Sequence, residues 1–512
     1  MICKKSKDSF LRMYVVKFYI IIDGSMFMKT DTIAAIATAV SDSGIGIVRI
    51  SGDEAVKIVS KIYQNARHEK ILDQYDSHTI HYGFIVKQNG EIIDEVMVSV
   101  MKAPRSYTRE NTVEINCHGG ALMMRKILTE VVKAGARIAE PGEFTKRAFL
   151  NGRMDLSEAE AIMDIIHAKN EFALQSSVRQ LRGSVYEKIK ELREKIIYEI
   201  AFIESALDDP EHISLDGYPE KLSDQVFLIK KELEKLSASA DDGKMLREGI
   251  CTVIVGKPNV GKSSLLNLLV GQERAIVTDI AGTTRDTLEE TINLGEITLN
   301  IIDTAGIRNT NDVVEKIGVE KAKTISEDAD LILYVMDSSI PLDENDADIA
   351  RMIKGKRTII LLNKSDLEEV VDKSSVDALF SDVYGKDCSV YELLETRLEN
   401  QKSENENICM IRISATKNDG LDLLVDMIKK MFFHGQISYN DEVYITSARH
   451  KEAVMEALES MRQVQISLEN QMPEDFYSID LMNAYASLGR IIGEEVEDDL
   501  VNEIFSKFCM GK

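Results

Sequence analysis

A glycine-rich stretch near the middle of the chain has the residue types and spacing of a phosphate-binding loop. It reads Gly256-Lys257-Pro258-Asn259-Val260-Gly261-Lys262-Ser263, with an apolar run before it that predicts a buried strand and a helix-forming sequence after it. The amide groups of such a loop and the N-terminus of the following helix can bind phosphate. Lys262 would then reach the outer phosphates, and the Ser263 hydroxyl would bind Mg²⁺. The alternative is an ordinary glycine turn between a strand and a helix.

Three later segments each follow an apolar run and carry polar residues suited to a nucleotide. Asp303-Thr304-Ala305-Gly306 offers a carboxylate that can hold Mg²⁺ through water and an amide for a γ-phosphate. Asn363-Lys364-Ser365-Asp366 offers a carboxylate that can accept from two guanine N–H groups, which adenine does not provide. Ser414-Ala415-Thr416 is typical of the loop behind the base. Their order and spacing predict GTP binding by a Ras-like, doubly wound G domain.

The residues beside these segments indicate how GTP would be hydrolysed. Ile307 stands where Ras-like enzymes carry a glutamine that orients water, and its side chain cannot do so. Thr284 is the expected second Mg²⁺ ligand, and the side-chain oxygen of Asn259 is a candidate for binding a monovalent cation. Glu315 is a candidate to orient water, or else a solvated surface acid. Arg285 is either an arginine finger or a salt-bridged loop residue.

The predicted GTP contacts lie in the phosphate loop, in a segment that follows it, and in the three later segments. They are Asn259, Val260, Gly261, Lys262, Ser263, Ser264, Thr278, Asp279, Ile280, Ala281, Gly282, Thr283, Thr284, Asp303, Thr304, Ala305, Gly306, Asn363, Lys364, Ser365, Asp366, Ser414, Ala415 and Thr416.

The sequence on both sides of the predicted G domain resembles a known family. The matching motifs are Ser106-Tyr107-Thr108, residues 113–120, residues 141–156, Asp498-Asp499-Leu500 and the C-terminal residues 508–512. In order and content they closely resemble the bacterial tRNA modification GTPase family MnmE, also called TrmE. The resemblance extends from about residue 30 to the C-terminus.

The resemblance implies an activity that this chain does not perform alone. Members of this family are implied to form homodimers and, with the FAD-dependent partner MnmG (GidA), a heterotetramer. Together they add an aminomethyl or carboxymethylaminomethyl group to C5 of the wobble uridine of certain tRNAs. The one-carbon donor is methylene- or formyl-tetrahydrofolate, and FAD and NADH enter only through the partner. K⁺ is implied to let two G domains dimerise and hydrolyse GTP.

The resemblance also implies roles for individual residues. The residues implied to hold K⁺ are Asn259, Thr278, Ile280 and Thr283. Glu315 is implied to orient the attacking water. The residues implied to bind folate are Arg49, Glu114, Arg153 and Lys512. Cys509 is implied to matter for the modification, with its thiol made more acidic by a nearby cation. The alternative is a small packing residue near the chain end.

Two segments depart from the family pattern. Ser41-Asp42-Ser43-Gly44 stands where the family has Arg-Gly-Gly, which puts only that loop in doubt. Residues 367–407 are long, polar and acidic, and we interpret them as an insertion that forms a disordered surface excursion.

Length and apolar periodicity predict the domain organisation. The fold class is a multidomain α/β protein with an α+β N-terminal domain, a helical bundle and an inserted Ras-like G domain. An apolar stripe at steps of three and four predicts one long helix, with members Val185, Ile189, Leu192, Ile196, Ile200, Ile203 and Leu207. The predicted limits are 1–27 for a non-native N-terminal extension, 28–145 for a folate-binding dimerisation domain, 146–246 and 435–512 for the bundle, and 247–434 for the G domain.

Composition limits the class of protein further. The net charge of −24 argues against RNA binding by charge alone, so tRNA would need local basic patches or the partner's surface. The six cysteines show no CxxC spacing, which favours a reducing cytoplasm without disulfides or structural zinc. No segment is long and apolar enough to predict a membrane span.

Two rival functions fit parts of the sequence. A GTPase switch in ribosome assembly would not need the N-terminal domain or Cys509, and it usually adds a basic RNA-binding domain that is missing here. A folate-dependent transferase acting alone would need its own redox cofactor, yet no strand is followed by Gly-x-Gly-x-x-Gly.

Overall fold

The computed structural model describes residues 31–272, 290–295, 297–302, 329–385, 390–392, 408–433, 445–494, 496, 498–508 and 511. Two compact units are formed, one by residues up to 159 together with those from 496, and the other by residues 160–495. The predicted domain limits stay predictions. The N-terminal residues 1–27 lie outside the described residues.

The first unit is built on a seven-stranded sheet in the order β3-β4-β5-β6-β2-β1-β7. All neighbouring strands are antiparallel except β1 and β7. The strands are β1 Ile33–Ile36, β2 Gly46–Ser51, β3 Tyr63–Asn65, β4 Thr79–Val86, β5 Ile92–Met101, β6 Thr112–Cys117 and β7 Arg137–Ile138. The helices of this part of the chain are α1 Ala55–Ile62, α2 Ala121–Ala134 and α3 Glu143–Leu150.

Among the described residues, one face of this sheet is fully covered, whereas the other is covered around β1, where Ile33 and Ala35 pack with Ala139 and Phe144. Along β5, buried Val96 and Val98 alternate with exposed Met97, as expected for a strand with one side in the core. The buried side chains pack with α1 and α2. The opposite side carries Ile80, Tyr82 and Met97, each about half exposed. We call these three residues the open sheet face.

Long helices follow, the first of which begins at the end of the first unit and continues into the second. They are α4 Leu156–His167, α5 Glu171–Leu181, α6 Ser184–Asp208 and α7 Tyr218–Glu248. The apolar stripe predicted for α6 is buried from Val185 to Ile203, whereas Leu207 in the last turn is 41% exposed. The burial confirms the long amphipathic helix but not its last member.

A doubly wound sheet follows, in the order β13-β14-β12-β11-β8-β10-β9, with every pair parallel except β9 and β10. Two separate apolar clusters cover its two faces, and every residue of β11 is buried. The strands are β8 Ile250–Val255, β9 Glu290–Leu294, β10 Ile297–Ile301, β11 Leu331–Asp337, β12 Thr358–Asn363, β13 Tyr391–Glu392 and β14 Ile408–Arg412. The helices are α8 Lys262–Gln272, α9 Glu344–Met352, α10 Lys373–Tyr384 and α11 Leu421–Phe433.

The disordered excursion predicted over 367–407 is wrong for the part that the structure describes. Asp372 caps α10 by accepting from the Ser375 N–H at 3.0 Å. Val376 and Phe380 on α10 are fully buried against the sheet. The polar residues lie on the exposed side of an ordinary amphipathic helix. Its opposite side is buried through Val376 and Phe380, which are one turn apart.

Two more helices complete the bundle, α12 Ala448–Glu469 and α13 Glu474–Ile492. Their apolar side chains, such as Val454, Met461 and Leu481, share one core with α6 and α7. The G-domain sheet is therefore inserted between two halves of one bundle, as predicted, and the predicted fold class is confirmed.

A last helix, α14 Asp498–Ser506, returns to the first unit and packs on α3. Lys146 donates to the Asn502 side-chain oxygen at 2.5 Å, and Phe505 is buried. Gly142 has a φ of +68°, and a β-carbon there would lie 2.4 Å from the Phe505 carbonyl oxygen. Only glycine allows this approach.

A group of polar side chains, most of them buried or half-buried, lies where the chain enters and leaves the G domain. Arg247, at the end of α7, pairs with Asp164 at 3.2 Å and donates to the Thr446 carbonyl at 3.4 Å. Arg449 donates twice to Glu160 at 3.0 Å. His450 lies 2.7 Å from the same carboxylate. We call the six residues Glu160, Asp164, Arg247, Thr446, Arg449 and His450 the junction cluster.

The junction cluster should make the stability of the folded protein depend on pH in the acidic range. Burial alone would raise the pKa of Glu160, but the charges and hydrogen bonds of His450 and Arg449 lower it to about 2. A carboxyl whose folded pKa is below its unfolded value stabilises the protein above the unfolded pKa, near 4.5, and loses that contribution as the pH falls toward 2.

We therefore expect Glu160→Gln to lower the stability at pH 7 by about 3 kcal/mol and to weaken its dependence on pH between 5 and 3. Unfolding of both proteins by denaturant across this range checks the expectation. Glu452→Gln, on the exposed side of α12, is the matched control and should follow the wild type. Parallel pH curves for Glu160→Gln and wild type would contradict it.

Candidate nucleotide-binding site

The phosphate loop joins β8 to α8 at the carboxyl end of the parallel strands, where open α/β sheets bind ligands. Gly256 has a φ of +150°, and a β-carbon there would lie 2.4 Å from the Val335 carbonyl oxygen. Gly261 has a φ of +103°, and a β-carbon there would lie 2.2 Å from the Asn363 amide nitrogen. Both glycines are therefore required by the close approach of neighbouring strand ends.

Lys262 lies along the loop rather than in solvent. Its ammonium donates to the carbonyl oxygens of Gly256 and Lys257, both at 2.7 Å. Burial lowers the pKa of Lys262. Asn259 has a φ of +62°, a left-handed conformation that asparagine tolerates better than most residues. Ser263 follows at the first turn of α8.

Asn363 connects the phosphate loop with the loop after β14. Its amide donates to the Val260 carbonyl oxygen at 2.8 Å, and its side-chain oxygen accepts from the Ala415 N–H at 3.1 Å. The side chain is buried, so both hydrogen bonds are shielded from water. The two predicted parts of the site therefore lie side by side.

The residues predicted to contact the base lie around the same strand end. The Ser414 hydroxyl donates to Asp366 at 2.7 Å, and this hydrogen bond lowers the pKa of that carboxyl. Asp366 is exposed, so its carboxylate is oriented yet accessible to a ligand. The Thr416 hydroxyl lies 3.2 Å from that of Ser414, and the Ser365 N–H donates to the Ile413 carbonyl oxygen.

Asp337 was missed by the sequence analysis. It is buried at the end of β11, and its carboxylate accepts from Lys364 at 2.5 Å and from the Ser339 hydroxyl at 2.6 Å. Burial raises the pKa of Asp337, but these partners outweigh it and lower the pKa overall. Lys364 has a φ of +62° and is fixed by this pair. A carboxylate directly after a buried apolar run was the signal that could have revealed Asp337.

Several predicted residues lie outside the described residues, so their positions are not tested. They are Thr278, Asp279, Ile280, Ala281, Gly282, Thr283, Thr284, Asp303, Thr304, Ala305, Gly306, Glu315, Cys509 and Lys512. Among the described residues, no group of three or more His, Cys, Asp or Glu side chains is arranged to hold a metal ion.

Three of the four residues assigned to folate come together in the first unit. Arg49 donates to Glu114 at 2.8 Å and to the Gly511 carbonyl oxygen at 2.9 Å. Arg153 donates to the Tyr107 carbonyl oxygen at 2.7 Å, and its guanidinium lies 4.6 Å from the centre of the Tyr107 ring. Arg49 lies 5.7 Å from the same ring, so Tyr107 belongs to this group although only its motif was noted.

Gly511 lies in the same group. Its φ is +89°, and a β-carbon there would lie 2.4 Å from the Ile36 carbonyl oxygen beside β1. Cys509 and Lys512 are its near neighbours along the chain. In the part of the chain that the structure describes, no helix is long and apolar enough to cross a membrane.

Comparison with known proteins gives matches over nearly the whole chain. The family model described as GTP-binding protein TrmE N-terminus matches residues 32–153, and the one described as MnmE helical domain matches residues 156–509. A tRNA modification GTPase MnmE of Lachnoclostridium phytofermentans is 56% identical, over 95% of this chain and 100% of its own. Those of Clostridioides difficile and Alkaliphilus oremlandii are 46% and 44% identical, over 94% of this chain and 99% of theirs.

The environment of Asp366 predicts a change of base specificity. Asp366→Asn should weaken GTP binding by about 10- to 100-fold, because a charged hydrogen-bond acceptor is lost. It should strengthen the binding of xanthosine triphosphate, because the new amide donates where the carboxylate accepted. Titration of both nucleotides checks this.

Ser414→Ala is the matched control for Asp366→Asn. It removes the hydroxyl that orients the carboxylate but keeps the acceptor, so GTP should remain preferred over xanthosine triphosphate. Unchanged GTP affinity in Asp366→Asn would contradict the assignment of the base-reading residue.

Proposed function

Because this chain belongs to the MnmE family of tRNA modification GTPases, we propose that its GTP hydrolysis serves the addition of a (carboxymethyl)aminomethyl group to C5 of the wobble uridine of certain tRNAs. The chain is a GTP hydrolase that acts in tRNA modification. One observation favours addition of this group to the wobble uridine. A single chain carries both a nucleotide loop and a separate group of arginines around Tyr107 and Gly511.

The geometry of the phosphate loop fits a bound nucleotide. Lys262 is held at the loop carbonyls, within reach of the β- and γ-phosphates, and Ser263 begins α8, where a hydroxyl can bind Mg²⁺. Thr284 would supply the second hydroxyl ligand, and Asp303 would hold the ion through water. Mg²⁺ and the N-terminus of α8 then supply positive charge for the triphosphate.

Hydrolysis needs a group that orients water and one that offsets the developing charge. We assign the orientation of the attacking water to Glu315, because the side chain of Ile307 cannot form a hydrogen bond with water. We assign the charge to K⁺, held by the side-chain oxygen of Asn259 and by Thr278, Ile280 and Thr283. The left-handed backbone of Asn259 supports this assignment, since it is a constrained position inside the loop.

The group around Tyr107 fits the chemistry of a folate. Two guanidinium groups, of Arg49 and Arg153, are suited to carboxylates, and the Glu114 carboxylate can accept from N–H groups of a pterin ring. Methylene- or formyl-tetrahydrofolate would supply the one-carbon unit. Lys512 would add a further cation, and Cys509 a thiol whose acidity a cation would increase.

The redox chemistry is assigned to a partner protein. The sequence carries no flavin or nicotinamide fingerprint, so FAD and NADH would act on MnmG (GidA) in a heterotetramer with this chain. The heterotetramer contains two copies of this chain. The open sheet face supports such a homodimer, because its apolar side chains Ile80, Tyr82 and Met97 are half exposed in the single chain and would suit a contact between copies. We place the complex in the cytoplasm, with tRNA as its substrate.

Hydrolysis should depend on the monovalent cation. The rate in K⁺ should exceed that in Na⁺ by about 10²-fold, the size of effect expected when one charge-stabilising group is lost. Asn259→Gly should abolish the difference, because it removes the side-chain oxygen while suiting the left-handed backbone. Asn259→Asp keeps an oxygen and is the control. Equal wild-type rates in the two salts would contradict the K⁺ assignment.

Cys509→Ser should separate hydrolysis from modification. GTP hydrolysis should stay near wild type, because Cys509 is not among the phosphate-contacting residues, whereas the modified wobble nucleoside should disappear. Mass spectrometry of tRNA nucleosides from cells that lack the gene, or carry wild type or Cys509→Ser, checks both points. Unchanged nucleosides without the gene would overturn the proposed function, and normal modification by Cys509→Ser would reduce the cysteine to a packing residue.

A further inference from the structure

Lys257 is the second residue of the phosphate loop, a position at which the loop pattern accepts any residue. Its side chain extends to the start of α9. The ammonium lies 2.6 Å from one oxygen of Asp346 and 3.1 Å from one oxygen of Asp343. Asp346 is 1% exposed, so this pair is largely removed from water.

Both carboxylates also accept hydrogen bonds from groups other than Lys257. Asp346 accepts from the Tyr334 hydroxyl at 3.0 Å with one oxygen and from the Asp343 N–H at 2.9 Å with the other. Asp343 accepts in turn from the Asn345 N–H at 2.9 Å as the N-cap of α9. Tyr334 is buried in β11. The ammonium of Lys257 therefore meets two acceptors at the start of α9, one of which also accepts from Tyr334 of β11.

The main chain of Lys257 takes part in the nucleotide site. Its carbonyl oxygen accepts from the Lys262 ammonium at 2.7 Å. Pro258 restricts the next φ, and Asn259 follows in its left-handed conformation. The carbonyl oxygen of Lys257 therefore contacts Lys262, the next residue but one is Asn259, and the Lys257 side chain connects this part of the loop to α9.

We propose that Lys257 is a positioning residue for GTP, whose ion pairs with Asp343 and Asp346 hold the first half of the phosphate loop in the conformation that receives the triphosphate. The inference rests on the proposed assignment of this loop to the phosphates. It predicts that GTP binding has a larger ordering cost when the pair is broken. The cost appears in affinity and not in the chemical step, because bound GTP brings Asn259 and the rest of the loop into the same conformation before hydrolysis.

An ion pair that only stabilises the fold would behave differently. It would lower the melting temperature without changing the affinity of the folded protein for nucleotide. The experiment therefore measures GTP affinity, kcat, KM and thermal unfolding for wild type, Lys257→Met and Lys257→Arg. Lys373→Met is the matched control, because it removes a lysine that pairs with Asp377 on the surface of α10, in the same domain.

We expect Lys257→Met to weaken GTP binding and raise KM by about tenfold, with kcat nearly unchanged. The loss of affinity is the free energy that GTP binding must then spend on ordering the released loop. Lys257→Arg should recover most of the affinity, because a guanidinium can meet the same two carboxylates. Lys373→Met should bind GTP like the wild type.

Unchanged GTP affinity in Lys257→Met, or an affinity in Lys257→Arg no better than in Lys257→Met, would overturn the proposal. If Lys257→Met does not fold, Asp343→Asn breaks only the outer of the two pairs; it should weaken GTP binding in the same direction, and no change would again overturn the proposal. A wild-type protein that fails to bind GTP would instead contradict the assignment of the loop to the phosphates.

Discussion

Insertion of the G domain into the bundle requires that two distant chain segments stay together, and the junction cluster meets this requirement. Arg247 precedes β8 by three residues, and Thr446 and Arg449 precede and begin α12. A β-carbon on Gly243 would lie 2.3 Å from the Ile445 carbonyl oxygen, so the two crossings run almost in contact. Charges buried in such a place must be paired, because an unpaired one would cost several kcal/mol. The pairing thus holds both crossings against the same helix, α4.

The nucleotide site shows the same reliance on contacts between distant segments. Each loop of the site follows a parallel strand, and parallel strands bring their carboxyl ends to one edge of the sheet. Asn363 and Asp337 then connect loops that are far apart in sequence, to Val260 and Lys364 respectively. Because these side chains are buried among strand ends, the loops are ordered by the sheet and not by their own sequences.

This explains which parts could be predicted. The phosphate loop and the Asp366 segment depend on local spacing after an apolar run, so the pattern was visible in the sequence. The partners of Lys257 and Asp337 depend on register between strands, which no local pattern contains. The helix α10 was misread because its exposed polar residues outnumber the buried ones, although Val376 and Phe380 are fully buried and anchor it. Burial of a few positions outweighs the average polarity of a segment.

The chain itself leads from the junction cluster to the group around Tyr107. Helix α12 begins in the junction cluster and packs along α13, and six residues after the end of α13 the chain starts α14. Helix α14 is held on α3 by buried Phe505, and beyond it Gly511 accepts from Arg49. The run of helices that begins at the crossings therefore leads, along the chain, to the residues beside Tyr107. The described residues of the phosphate loop and those around Tyr107 belong to different compact units, so an effect of nucleotide on the group around Tyr107 would have to pass between units and not through a shared side chain of the described residues.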